Sequence, residues 1–392
     1  MFWNSQMADT LNAQQFIDEV QQATGLSDLG SDDYVEPLNI LINAINTESG
    51  INDIGFYRAK MTIEGGLQYR LRIQQYLASH PETFDQKVEK PVFIVSLPRT
   101  GTTALHHMLN ADSANHTLRL WEAEEPLPPP EDATYLTDPR IEKRRQAVAM
   151  TEQFMPGFLS THLLDAEAPD ECHMLFNRCL SSAEYYSMFH IPSYAEWVYK
   201  QDLTKQYAYH KQQLQLLQSK KSGSWVLKSP FHQIGLKAIL NTYPDAIIVS
   251  THRAPMQFVA SGCSFGQLLR KSCADNPDPN LIGQDWFRML EHYTTTFESD
   301  RAELEVKYPG QFIDINHDDF VASPWAGIDA IYKARGAPLS AAGRAAMQQW
   351  VDDNPKGKHG KHSYQLEDYG LTKADVENLF GDYVSRHNLT ME

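Results

Sequence analysis

From Ala13 to about His80, apolar residues return every three or four positions (Phe16, Val20; Leu38, Leu41, Ile42, Ile45; Leu67, Leu71, Ile73, Tyr76, Leu77), the spacing of one helix face. Gly25, the Gly30-Ser31-Asp32-Asp33 run and Ser49-Gly50 interrupt the pattern, which predicts separate helices with Asp and Ser at their N-caps. At Pro91 the texture changes. Residues 92–97 are a short apolar run, as in a strand buried on both faces, and 99–103 followed by Ala104-Leu105-His106-His107-Met108-Leu109 read as a tight loop entering a helix. Similar runs at 225–227, 246–250 and 312–315 alternate with helix-like segments, the arrangement of a parallel sheet covered on both faces. Between them, residues 126–221 pass through a Pro-rich hinge (Pro126, Pro128, Pro129, Pro130) into a helical stretch rich in aromatics and Met (Met155, Phe158, Met174, Phe176, Tyr185, Tyr186, Met188, Phe189). The expectation is an α/β chain with a helical N-terminal extension at 1–90 and a sheet domain at 91–392, into which 126–221 inserts as a helical layer over the sheet.

Composition narrows the function. The 392 residues hold 42% hydrophobic residues, enough for a large core. Their net charge of −16 argues against a general nucleic-acid binder. Cys172, Cys179, Cys263 and Cys273, with no CxxC spacing, read as reduced thiols of a cytoplasmic protein. The first residues lack a basic stretch followed by an apolar one, and no run of about 18 apolar residues occurs, so neither secretion nor a membrane span is expected.

The strongest chemical signal is the loop at Pro98-Arg99-Thr100-Gly101-Thr102-Thr103. A loop between a buried parallel strand and a helix gathers backbone N–H groups and the positive end of the helix dipole at one point, where a phosphate or sulfate fits. Gly101 lets the backbone approach an anion, Thr102 and Thr103 add hydroxyl donors, and Arg99 adds a charge-assisted contact. A Walker A loop needs a second glycine and a lysine, both missing here, which demotes Mg²⁺-dependent ATP hydrolysis. A second anchor follows the 246–250 strand: Arg253 at the strand end, Pro255 opening a helix, and Ser261 two turns along it. A third is the basic, Gly-containing run at 355–364, with Lys356, Lys358 and Gly360, whose charge opposes that of the chain and suits a phosphate. His359 and His362 lack the partners of a zinc site, and no metal is expected.

These elements resemble the sulfotransferase family. The 98–103 loop is similar to the Pro-Lys/Arg-Ser/Thr-Gly-Thr-Thr loop that holds the 5′-phosphosulfate of the donor 3′-phosphoadenosine 5′-phosphosulfate (PAPS), and Arg253-x7-Ser261 resembles the element that binds the donor's 3′-phosphate. Ala254 stands where the family often has Asp or Asn. The resemblance extends to Gly25-Leu26-Ser27-Asp28-Leu29-Gly30, the hinge after Trp121, residues 314–324 and 364–371, as in bacterial members related to tyrosylprotein and heparan sulfotransferases. It implies a P-loop-like sheet, PAPS as sulfuryl donor, Arg99 to Thr103 (including Thr100), Arg253, Ser261, Lys356, Lys358 and Gly360 as donor-binding residues, and Lys228 after the central strand as a catalytic lysine.

Sulfuryl transfer needs in-line placement, charge stabilisation and a base for the acceptor proton. Two candidates serve as base. Glu122, after the loop's helix and a short second strand, stands where tyrosylprotein and heparan sulfotransferases carry a glutamate, with Glu124 and Glu125 beside it. His232 competes, although cytosolic relatives place their histidine two residues after the lysine, where this chain has Pro230. That departure favours Glu122. The acidic surface disfavours a polyanionic acceptor, and the aromatic insertion suits a small apolar or amphipathic alcohol or amine. A homo-oligomer is left open. The rivals are a nucleotide-dependent phosphotransferase and a catalytically silent nucleotide-binding protein of the same fold.

Overall fold

The computed structural model describes residues 10–155, 157–161, 164–355 and 365–392. Five parallel strands form its sheet: β1 (Val92–Ile94), β2 (Asn115–Thr117), β3 (Ser224–Lys228), β4 (Ile247–His252) and β5 (Phe312–Asn316), in the order β2-β3-β1-β4-β5. β1 is central, with Phe93 opposite Leu227 on one side and Ile248 on the other. Its alternate residues feed two cores, Phe93 and Val95 into the larger one and Val92 and Ile94 into the smaller one, so both faces are apolar. The ladder pattern of β1 stops at Ile94, earlier than the apolar run implies. Beyond it one more backbone bond, from the Val95 N–H to the Val249 carbonyl at 2.8 Å, is joined by side chains: Ser250 Oγ donates to the Val95 carbonyl at 2.9 Å, and the Thr251 N–H donates to Ser96 Oγ at 2.7 Å.

The N-terminal prefix forms helices Ala13–Thr24, Val35–Glu48 and Asp53–Ser79. Asn12 and Asn52 cap two of them, accepting from the N–H groups of Gln15 and Gly55, and Gly25 ends the first in the left-handed region at φ 69°. The Asp and Ser residues expected at caps do other work there: Ser31 makes no side-chain cap, Asp33 pairs with Arg70, and Ser49 Oγ donates to the Ile45 carbonyl at 2.6 Å. Leu67 and Leu71 pack in one cluster with Phe93 and Leu227. Arg70, fully buried, ties the prefix to the insertion: it donates to the carbonyls of Leu29 and Arg178 and pairs with Asp33 at 2.5 Å.

The insertion forms helices Pro139–Phe154, His173–Asn177, Ala183–Met188, Pro192–Tyr199 and Thr204–Leu217, and several of them share the larger core with Phe93 and Leu227 of the sheet. Most of its aromatic and Met residues, Phe176, Tyr185, Tyr186, Met188 and Phe189 among them, are core. The four cysteines are free and buried. Among the described residues no helix is long and apolar enough to cross a membrane.

Candidate functional site

All five strands point the same way, so their C-terminal ends gather loops at one edge, where ligands of open parallel sheets bind. The loop after β1 turns sharply there. Arg99 at φ 69° and Gly101 at φ 94° both lie in the left-handed region, and Gly101 is the N-cap of helix Thr102–Asn110. The first-turn amides of that helix have no partner within it and face the loop. Thr102 is largely buried and Thr103 partly exposed. Thr100 contributes only backbone: its fully buried hydroxyl donates to the Leu97 carbonyl at 2.7 Å and meets Thr251 Oγ1 at 2.8 Å.

The second anchor docks onto this loop. Arg253, just past β4, donates from Nη1 to the Arg99 carbonyl at 2.9 Å and from Nε to Gln257 Oε1 at 3.0 Å. Arg99 Nε in turn donates to Ser261 Oγ at 3.1 Å, and the Arg99 guanidinium sits 5.9 Å from the centre of the Phe265 ring. Helix Pro255–Lys271 carries Ser261 and Phe265; its N-cap, Ala254, makes no side-chain bond, as the sequence implies. Burial first, and then the charge of Arg99, push the Arg253 guanidinium below its ordinary pKa, with Asp318 opposing. Two cations held together at a strand end suit a multiply charged anion.

Lys228 closes β3. Its ammonium is buried, 5% exposed, and Nζ pairs with Glu171 Oε1 at 2.7 Å; Glu171 itself is 22% exposed. Glu171 comes from the insertion, on a stretch stitched to the sheet edge by backbone bonds from Leu120 N–H to the Ala168 carbonyl (3.1 Å), Asp170 N–H to the Leu118 carbonyl (2.7 Å) and Cys172 N–H to the Lys228 carbonyl (3.0 Å). Sequence reasoning passed over Glu171; its only signal is an acidic pair, Asp170-Glu171, after Pro169.

Among the described residues, neither of the two bases expected from sequence bonds to Lys228. Glu122 is fully buried, and its carboxylate accepts from the Arg119 N–H at 3.0 Å and Tyr135 Oη at 2.8 Å and meets His116 Nε2 at 3.2 Å. His116 stacks on Trp225 at 3.9 Å, so this carboxylate faces the start of β3, whereas Lys228 ends the strand. Three residues of strand, roughly 10 Å, separate the two levels. His232 is also fully buried, with Nδ1 against Tyr207 Oη at 2.7 Å and Phe93 edge-on at 5.1 Å. Burial, then His210 and Lys228, hold its pKa well below the ordinary value, which keeps the ring neutral.

His317, also unanticipated, opens the turn after β5 and covers the phosphate loop: a Cβ on Gly101 would fall 2.7 Å from its Cδ2. Lys356, Lys358 and Gly360 lie outside the described residues. One group with metal-ligating side chains, His252, Asp314 and His387, brings its ligand atoms within 4.8 Å of one another, but Arg301 already grips Asp314 through two 2.6 Å bonds, so the group is an ion-pair network.

A sequence profile described as the Sulfotransferase family matches residues 91–341. Among solved structures, the chain is similar to the sulfotransferase STF1 of Mycobacterium tuberculosis H37Rv, at 33% identity over 96% of this chain and 100% of that one, with a TM-score of 0.85. It is also similar to the sulfotransferase STF9 of Mycobacterium avium, at 27% identity over 99% of this chain and 100% of that one, with a TM-score of 0.89. No curated protein sequence matches the chain.

Proposed function

Because the chain belongs to the sulfotransferase family, we propose that it moves a sulfuryl group from PAPS to a hydroxyl or amine of a small apolar or amphipathic acceptor. The observation that carries this reading is the convergence of Arg99, Arg253 and Ser261 with the helix N-terminus behind Gly101, at the strand-end edge that also holds Lys228. The residues present fit the donor. Gly101 holds φ 94°, which turns the loop into a helix N-terminus, and the Arg99–Arg253 pair is a pre-assembled counter-charge for phosphate.

When bound, the donor supplies the reactive sulfuryl group on a 5′-phosphate. Arg99 and the first-turn amides orient the 5′ end, and Arg253 with Ser261 takes the 3′-phosphate. Glu171 is the base this geometry favours, over Glu122 and His232: it accepts the acceptor's proton as the new oxygen–sulfur or nitrogen–sulfur bond forms. Lys228, beside it, donates to the oxygen between sulfur and phosphorus as that bond breaks, and charge remains on the leaving phosphate. Glu171 is reachable from solvent through the insertion, whereas Glu122 and His232 are sealed in the core.

Calorimetric titration with adenosine 3′,5′-bisphosphate, ATP and AMP tests the reading. Micromolar binding of the bisphosphate with weak binding of AMP is expected. Preference for ATP would make the protein a phosphotransferase; bisphosphate binding without turnover across alcohols, phenols, amines and polysaccharides would make it a silent nucleotide-binding relative. Turnover only on a sulfated polysaccharide would sink the acceptor assignment.

A further inference from the structure

The ladder between β4 and β5 ends at His252 opposite Asn316, one residue before Arg253. Past that point side chains hold the strand end in place, and they come from the last helix of the chain and its neighbours. His252 Nε2 faces Asp314 Oδ1 at 2.7 Å, and its Nδ1 faces Tyr383 Oη at 3.1 Å, from helix Lys373–Arg386. The His252 ring stacks on His387 at 3.8 Å with 15° between planes. His387 is fixed in turn by Glu298 Oε1 at 2.7 Å, and Glu298 also pairs with Arg386. Arg301, from the same helix as Glu298 (Pro279–Lys307), holds Asp314. His252 and Tyr383 are 4% and 6% exposed, so the centre of the network is buried, while its outer members Asp314 and Arg386 reach solvent.

We propose that Tyr383 and His387, brought by the C-terminal helix, are positioning residues that set Arg253 for the donor's 3′-phosphate. The inference rests on the donor reading above. Arg253 is fixed at two points: its guanidinium by the Arg99 carbonyl, and its backbone through the preceding residue, His252, which Tyr383 bonds and His387 stacks upon. A guanidinium is the far end of a long lever, so a small displacement of the backbone moves it out of hydrogen-bond range of a phosphate. The 5′-phosphate relies instead on the loop after β1, whose turn is set by its own left-handed residues. The C-terminal helix thus governs discrimination between nucleotides with and without a 3′-phosphate, rather than nucleotide binding as such.

The test is calorimetry on the full chain with adenosine 3′,5′-bisphosphate and AMP, for wild type, Tyr383→Phe, His387→Ala and His387→Phe. The readout is the ratio of the two affinities. Tyr383→Phe and His387→Ala are expected to lower the ratio by on the order of tenfold, a typical coupling between packed neighbours. AMP affinity should stay within about twofold, well inside that coupling, and His387→Phe, which keeps the stacked ring, should restore most of the ratio. An unchanged ratio in a wild type that discriminates, or a proportional loss of both affinities, would overturn the proposal, the second result marking a merely structural role. A wild type that does not discriminate would instead fail the donor reading itself and take this inference with it.

Discussion

Replacing Gly101 by Ala separates two demands that the phosphate loop places on one residue. The backbone there has φ 94°, a conformation that costs a residue with a Cβ roughly 1–3 kcal/mol. The added Cβ would also sit 2.7 Å from Cδ2 of His317, well inside contact distance, and relieving such crowding costs about 1–3 kcal/mol more. The two together predict a loss of about 2–6 kcal/mol for Gly101→Ala. His317→Ala removes the second cost and leaves the first, so Gly101→Ala made in that background should cost only about 1–3 kcal/mol. The measurement is urea denaturation of the two single variants and the double variant, each without ligand. The expected coupling is about 1–3 kcal/mol. Additivity to within about 0.3–0.5 kcal/mol would refute the reasoning, because it would mean that His317 does not press on the loop.

Other predictions concern the chemistry. Lys228→Ala should leave bisphosphate affinity nearly intact and lower kcat by about 10²–10³, as loss of a transition-state contact does; unchanged kcat removes it from the mechanism. Glu171→Gln should lower kcat by about 10²–10⁴, whereas Glu122→Gln should cost about 1–3 kcal/mol in a thermal melt by unbalancing its buried hydrogen bonds and leave kcat within a few-fold; the reverse pattern would return the base to Glu122. Arg253→Ala should weaken bisphosphate binding by about 2–3 kcal/mol and AMP binding far less, read by calorimetry. Burial lowers the pKa of His210 from 6.5 to about 3. The folded state then binds fewer protons than the unfolded one between those values, so the stability this ring contributes is present above about 6.5 and lost as pH falls toward 3, at up to about 1.4 kcal/mol per pH unit. Urea midpoints from pH 7 to pH 5 should fall, and fall less steeply in His210→Gln.

The loop after β1 was legible because its information is local: a strand, a Gly, a helix start and an Arg form one contiguous stretch, which folds into a sharp turn at a helix N-terminus. Arg253 and Ser261 were legible as neighbours of that loop for the same reason, one just past a strand end and the other on the helix that opens at Pro255. Glu171 was not, because its meeting with Lys228, 57 positions away, depends on the backbone pairing of 118–120 with 168–170, which leaves no periodic trace. Glu122 draws the eye by its place after a strand, but the rotation of a five-residue helix turns its carboxylate toward His116 and Tyr135. Among the strands, β1, β3, β4 and β5 announce themselves as apolar runs. β2 is Asn-His-Thr, buried yet polar: Asn115 is met by Tyr332 and Arg335, and His116 lies flat on Trp225, so tertiary partners stand in for the missing apolar pattern.

The backbone stitching of residues 168–172 onto the sheet edge bears on how such a protein can change over generations. A carboxylate carried on hydrogen-bonded backbone keeps its place when neighbouring side chains are exchanged, since the bonds that hold it belong to no particular residue type. The helices of the insertion on either side can thus exchange side chains while Glu171 stays 2.7 Å from Lys228. A lineage built this way can vary that layer by substitution without rebuilding this ion pair.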